Sequence, residues 1–277
     1  MRFCFITKDR TMRFTEVVKH LLFINIIVFI ADQIFGANIL ALYYPQSERF
    51  LPLQLVTHFF MHANFMHIFF NMFALVMFGS ALETLWGPKK FLFYYFVCAF
   101  GAAIIHMGYT YYEINGLQTA IEVFKQNPSY DTYWSFFKQV PLNSLNPEYQ
   151  SVVEEFANLA AEPTQIVVRD AVSLMDQYVD FKMDIPIVGA SGAIFGLLLA
   201  FGWYFPNVEL MLIFLPIPIK AKYFIPLLML GELYFGVNNF SWDNIAHFAH
   251  LGGALTGILL ILYWRKFGSR FDDFRPS

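Results

Sequence analysis

Ser191 lies in the stretch Gly189-Ala190-Ser191-Gly192, inside an apolar run from Ile187 to Phe205. A second apolar run carries His250, followed by Leu251-Gly252-Gly253. A serine oxygen becomes a useful nucleophile when a base takes its proton, and histidine is the commonest base. The serine side chain is short, so its oxygen meets an imidazole nitrogen only where two helices nearly touch. Gly192 with Gly196, and Gly253 with Gly257, are small-xxx-small spacings that permit such an approach. The chemistry on offer is acyl transfer inside a bilayer: Ser191 attacks, and His250 takes and returns its proton.

Two more polar residues stand in an apolar run, His67 and Asn71, one turn apart on one helix face. Polar groups in hydrocarbon are costly, which makes them functional candidates. With the backbone N–H of Ser191, both can donate to an oxyanion. Phe195, one turn after Ser191, is placed to pack on the imidazole. No carboxylate stands next to His250 in the sequence, and Asp243 is two turns away, so the pattern reads as a dyad. Glu83 and Glu232 read as structural hydrogen-bonding groups. His247, three residues before His250, reads as a cap or loop contact, with a partner to the active site as the second reading. His58 and His62 form a further i, i+4 pair at the outer end of the second apolar run and read as structural.

Elements that span a membrane must position these residues. Hydrophobic residues make up 57% of the 277 and charged residues 14%, against about 25% charge in soluble domains. Six spans are expected, at Leu21–Leu42, Val56–Leu82, Phe91–Tyr109, Ile187–Phe205, Tyr223–Val237 and Ile245–Trp264. Basic residues cluster before the first span (Lys8, Arg10, Arg13, Lys19), after the second (Lys89, Lys90), after the fourth (Lys220, Lys222) and after the sixth (Arg265, Lys266, Arg270). All four clusters fall on one side of a six-span topology, which predicts cytoplasmic termini. The expected location is a multi-pass integral protein of the bacterial inner (plasma) membrane. No cleaved signal peptide is expected, and Cys4 and Cys98 give no disulfide framework.

Residues 112–184 differ in composition, holding 11 of the 21 acidic residues. Helical spacing over Tyr149–Leu159 and Ile166–Phe181, interrupted near Pro163, predicts a helical hairpin outside the cytoplasm, with a disordered linker as the alternative. The organisation expected is a cytoplasmic segment 1–20, a core 21–111, the acidic insertion 112–184, a core 185–266 and a cytoplasmic tail 267–277.

Taken in order across three spans, His67 with Asn71, Ser191 in its GxSG stretch, and His250 with Gly252, Gly253 and Gly257 resemble the rhomboid intramembrane serine proteases. The run Phe78-Gly79-Ser80-Ala81-Leu82-Glu83-Thr84-Leu85-Trp86-Gly87 also looks like that family's second-span ending. The resemblance implies an all-α polytopic membrane protein, a six-helix rhomboid-like bundle with a helical insertion between its third and fourth spans. It implies a serine-type endopeptidase that cleaves other proteins' transmembrane helices, with nucleophile Ser191, base His250 and oxyanion donors His67 and Asn71. Its partners would be membrane-protein substrates and lipid, with no cofactor, metal or nucleic acid; the oligomeric state stays open. The chain departs from the family at Phe195, where tyrosine is frequent, at Leu53-Gln54, where Trp-Arg or Trp-Gln is frequent, and in the length of its insertion. A non-catalytic rhomboid-like protein that binds membrane clients is the alternative. A membrane metalloenzyme is disfavoured because HExxH is missing and no intramembrane carboxylate has ligand spacing to the histidines. A transporter is disfavoured because inverted repeats are missing.

Overall fold

The computed structural model describes residues 14–36, 38–142, 147–160, 163–212, 215–238 and 245–267. Cys4, Lys8, Arg10, Arg13, Glu162, Asp243 and Arg270 therefore lie outside the described residues.

Helix α1 is Glu16–Phe35. Its first N–H groups have no partner within the helix, and Glu83 supplies one: Val17 N and Val18 N each donate to the carboxylate at 3.0 Å. The helix ends at Gly36, whose φ of 59° is left-handed. The expected first span, Leu21–Leu42, thus starts earlier and stops sooner. Leu42 instead pairs with Ile187 in an isolated antiparallel bridge.

Residues Gln54–Thr57 and His58–Phe60 form two short turns. The membrane helix α2 begins only at Phe65 and runs to Trp86. Asn64 is extended and its side chain accepts from His67 N at 2.9 Å, a cap that fixes this start. The expected start at Val56 is corrected accordingly. His58 and His62 precede α2, so they do not share a helix face.

Helix α3, Pro88–Gln126, continues far past the expected end at Tyr109 and carries the chain into the acidic segment. There it is joined by α4 (Tyr130–Phe137), α5 (Pro147–Leu159) and α6 (Gln165–Met183). Ser129 opens α4 with a reciprocal capping box to Thr132, and Thr164 caps α6. Ile121 and Phe124 of α3 meet Tyr133, Phe136, Val153 and Met175 in a core separate from that of the bundle.

Helix α7, Ser191–Tyr204, follows, then strands β1 (Glu209–Leu212) and β2 (Leu215–Lys220), α8 (Ala221–Asn238) and α9 (His247–Phe267). The antiparallel β1–β2 hairpin departs from the all-α expectation. Prolines at 216 and 218 remove donors and disfavour helix there.

Among the described residues α1, α2, α3 and α9 are long and apolar enough to cross a membrane, and the chain is an integral membrane protein. Helix α7 is apolar but has only 14 residues, about 21 Å of rise against roughly 30 Å of hydrocarbon. It lies against α3 and α9 at the centre of the bundle. A Cβ on Gly253 would overlap the backbone oxygen of Gly192, and one on Gly196 would come within 3.2 Å of the Gly253 oxygen. The two spacings read from the sequence therefore face each other, and α7 and α9 touch backbone to backbone. Trp86, Tyr204 and Trp264 meet at the far end, with Lys90 Nζ 4.3 Å from the Trp264 ring. Such aromatic and basic groups favour the membrane interface.

Candidate functional site

Ser191 is the first residue of α7, and the backbone before it makes the site possible. Residues 184–190 run without helix. They are held by the Leu42–Ile187 bridge and by Gly189 N donating to His58 O at 2.9 Å. Gly189 has φ 117°, and a Cβ there would stand 2.8 Å from the His67 ring. Only glycine fits that turn and that closeness. The first N–H groups of α7 lack helical acceptors, so this end suits developing negative charge.

The short contact between α7 and α9 brings His250 Nε2 to 2.9 Å from Ser191 Oγ. The Phe195 ring lies on the imidazole, centroids 4.2 Å apart and planes 6° apart. His67 and Asn71 come from α2. The Asn71 amide nitrogen lies 3.7 Å from where a Gly189 Cβ would stand, so both residues converge two positions before the serine. Asn71 Nδ2 is buried with no hydrogen-bond partner among the described residues. Its two protons point to no structural acceptor.

His58 is a structural group: its Nδ1 pairs with Gln54 O at 2.6 Å. The ring of His62 lies 5.0 Å from that of His67. Glu83 caps α1, as described. Gln54 ties the outer loop together: its Oε1 accepts from Leu51 N at 3.0 Å, and its amide donates to Arg49 O at 2.9 Å.

One group has partners that the sequence did not foretell. Glu232, in the middle of α8, places Oε2 at 2.8 Å from His250 Nδ1 and 2.7 Å from His247 Nδ1. The expectation that no carboxylate accompanies His250 is corrected, and His247 is no loop contact. The missed signal was one intramembrane carboxylate opposite two histidines spaced i, i+3. The ligand atoms of Glu232, His247 and His250 fall within 4.8 Å of one another, so the expectation of no suitably spaced carboxylate also fails as a reason against metal. Separations of 2.7 and 2.8 Å are those of N–H donors on a shared carboxylate oxygen.

The arrangement can therefore move a proton from a serine hydroxyl to an imidazole already bonded on its other side, next to donors that face an oxyanion. A family model described as "Rhomboid domain" matches residues 51–119 and 165–267, more than half of the chain. It leaves unmatched the stretch from the end of α3 through α5. The chain is also 32% identical over 83 residues to "Rhomboid protein 1, mitochondrial" of Saccharomyces cerevisiae. That likeness covers 29% of this chain and 23% of the yeast protein, so the match spans about a quarter of the relative's length.

Proposed function

The chain belongs to the rhomboid family, and from that premise we propose that it is an intramembrane serine endopeptidase acting on transmembrane helices of other proteins. The observation that carries this reading is the 2.9 Å approach of His250 Nε2 to Ser191 Oγ. Ser191 Oγ attacks the scissile carbonyl carbon while His250 Nε2 takes its proton. The tetrahedral oxyanion is held by the Ser191 N–H, the Asn71 amide and His67. On collapse, His250 gives the proton to the leaving amine and an ester to Ser191 remains. Water, deprotonated by the same imidazole, then releases the acyl product. Phe195 holds the ring plane throughout.

Water must reach this chemistry. A helix of 14 residues cannot fill the bilayer thickness, and its serine end is preceded by irregular backbone. Such backbone is tolerated at depth only where protein or a wet cavity surrounds it. The remaining organisation follows the same reading: six spans, both termini and Lys89-Lys90 cytoplasmic, and the acidic helices outside, governing substrate access. A cysteine placed at Gln150 should react with an impermeant reagent from outside, and one at Lys89 should not; the opposite pattern refutes the orientation.

The decisive test is a fluorophosphonate probe on the purified protein. Labelling should occur in the wild type and vanish in folded Ser191→Ala, with cleavage of a membrane-helix substrate lost by roughly 10⁶-fold, as for a soluble serine protease. A folded wild type that never labels and never cleaves would favour the client-binding alternative.

A further inference from the structure

Glu232 is one carboxylate with two imidazoles aimed at a single oxygen. Ionised carboxylates accept and do not donate, so both Nδ1 atoms must carry protons. For His250 this has a chemical consequence. A neutral ring protonated at Nδ1 is bare at Nε2, the nitrogen that faces Ser191 Oγ at 2.9 Å. The alternative tautomer would present an Nε2–H to the serine and could not act as its base. Helix geometry supports the assignment. His247 and His250 are one turn apart at the start of α9, so their rings share the face that packs on α8. Their ring centroids are 6.4 Å apart and near perpendicular, so each reaches the carboxylate from its own direction. The side chains of Glu232, His247 and His250 are 12%, 8% and 11% exposed. At that burial water competes poorly for either bond.

Resting on the reading of Ser191 and His250 given above, we propose that Glu232 is a positioning residue. It fixes His250 in the Nδ1–H tautomer and stabilises the imidazolium formed when Ser191 attacks. His247 clamps the carboxylate from the second side. Glu232 meets no substrate atom; it acts through His250. The balance of protons is unchanged: the serine proton resides on His250 Nε2 and leaves with the amine, while Glu232 stays ionised.

Glu232→Gln keeps the size of the side chain but offers an amide that can donate to Nδ1 and reverse the tautomer. In a soluble serine protease the matching change lowers turnover by about 10⁴ with its geometry intact. The expected result here is a fall in kcat of at least about 100-fold, KM within about twofold, and Phe195-packed His250 still in place. Glu232→Asp, which keeps the charge, should recover part of kcat. Nitrogen-15 NMR of histidine-labelled Ser191→Ala protein, with the His250 signal assigned by its loss in His250→Ala, tests the tautomer without touching Glu232. An Nδ1–H, Nε2-bare ring is expected; an Nε2–H ring overturns the proposal even if Glu232→Gln does not fold. Full kcat in folded Glu232→Gln overturns it as well. Either failure is distinct from failure of the protease reading, which would show as cleavage surviving in Ser191→Ala.

Discussion

The α7–α9 contact of the membrane bundle and the core of the acidic helical unit are built by opposite means. In the bundle, α7 and α9 are held by side chains that are missing: Gly192, Gly196 and Gly253 let backbone meet backbone. In the acidic unit, α3 through α6 are held by side chains that are large: Phe124, Tyr133, Phe136 and Phe137 are all but fully buried. Ile34 of α1 is 70% exposed and Leu227 of α8 is 64% exposed, as lipid allows. Lipid gives apolar side chains little reason to leave it, so helices there associate through close packing. Water does expel them, and the acidic unit gathers aromatic rings in its core. Tyr133 Oη in the acidic unit donates to Val153 O at 3.1 Å and serves structure. Asn71 Nδ2 in the bundle has no such structural acceptor among the described residues.

The sharpest way to break this contrast is Gly253→Val. The added carbon meets the Gly192 backbone oxygen, which cannot swing aside as a side chain can. The cost should exceed the roughly 1–3 kcal/mol of ordinary overpacking. Probe labelling of Ser191 should disappear, with loss of the folded bundle in a detergent melt; a stable, active variant would show that α7 and α9 need no backbone contact.

Asn71→Ala comes next. Turnover should fall by about 10²–10³ while thermal stability holds, since no hydrogen bond in the described structure is broken. A stability loss with unchanged turnover would make Asn71 a packing residue. Phe136→Ala, in the other core, should cost the acidic unit about 3–5 kcal/mol. Small-probe labelling of Ser191 should persist while cleavage of protein substrates changes. Loss of labelling would join the two regions into one cooperative structure. Smallest is Tyr133→Phe, about 1 kcal/mol of stability from one buried hydrogen bond and no change in turnover; equal stability would mean the hydroxyl is idle.

The sequence revealed residues that were out of place. Ser191, His250, His67 and Asn71 are polar groups in apolar runs, and their order suggested both family and site. Glu232 is equally out of place, yet its partners lie 15 and 18 residues on, in another helix, and nothing local pairs them. Boundaries failed for a different reason. Composition changes near residue 112, but the hydrogen bonding of α3 does not, so the helix runs on to Gln126. In the second apolar run the residues before Phe65 are hydrophobic enough for a span, and only the Asn64 cap sets where the helix begins.

That long α3 has a mechanical meaning. Its 39 residues rise about 58 Å, well beyond the thickness of a bilayer. Its C-terminal part belongs to the aromatic core; nearer its middle, Ala102 lies against Gly192, next to Ser191. A rod shared by both regions leaves no hinge between them within the helix. A tug or twist on the acidic unit would therefore reach the α3–α7 contact as a displacement, making α3 a lever that passes beside Ser191.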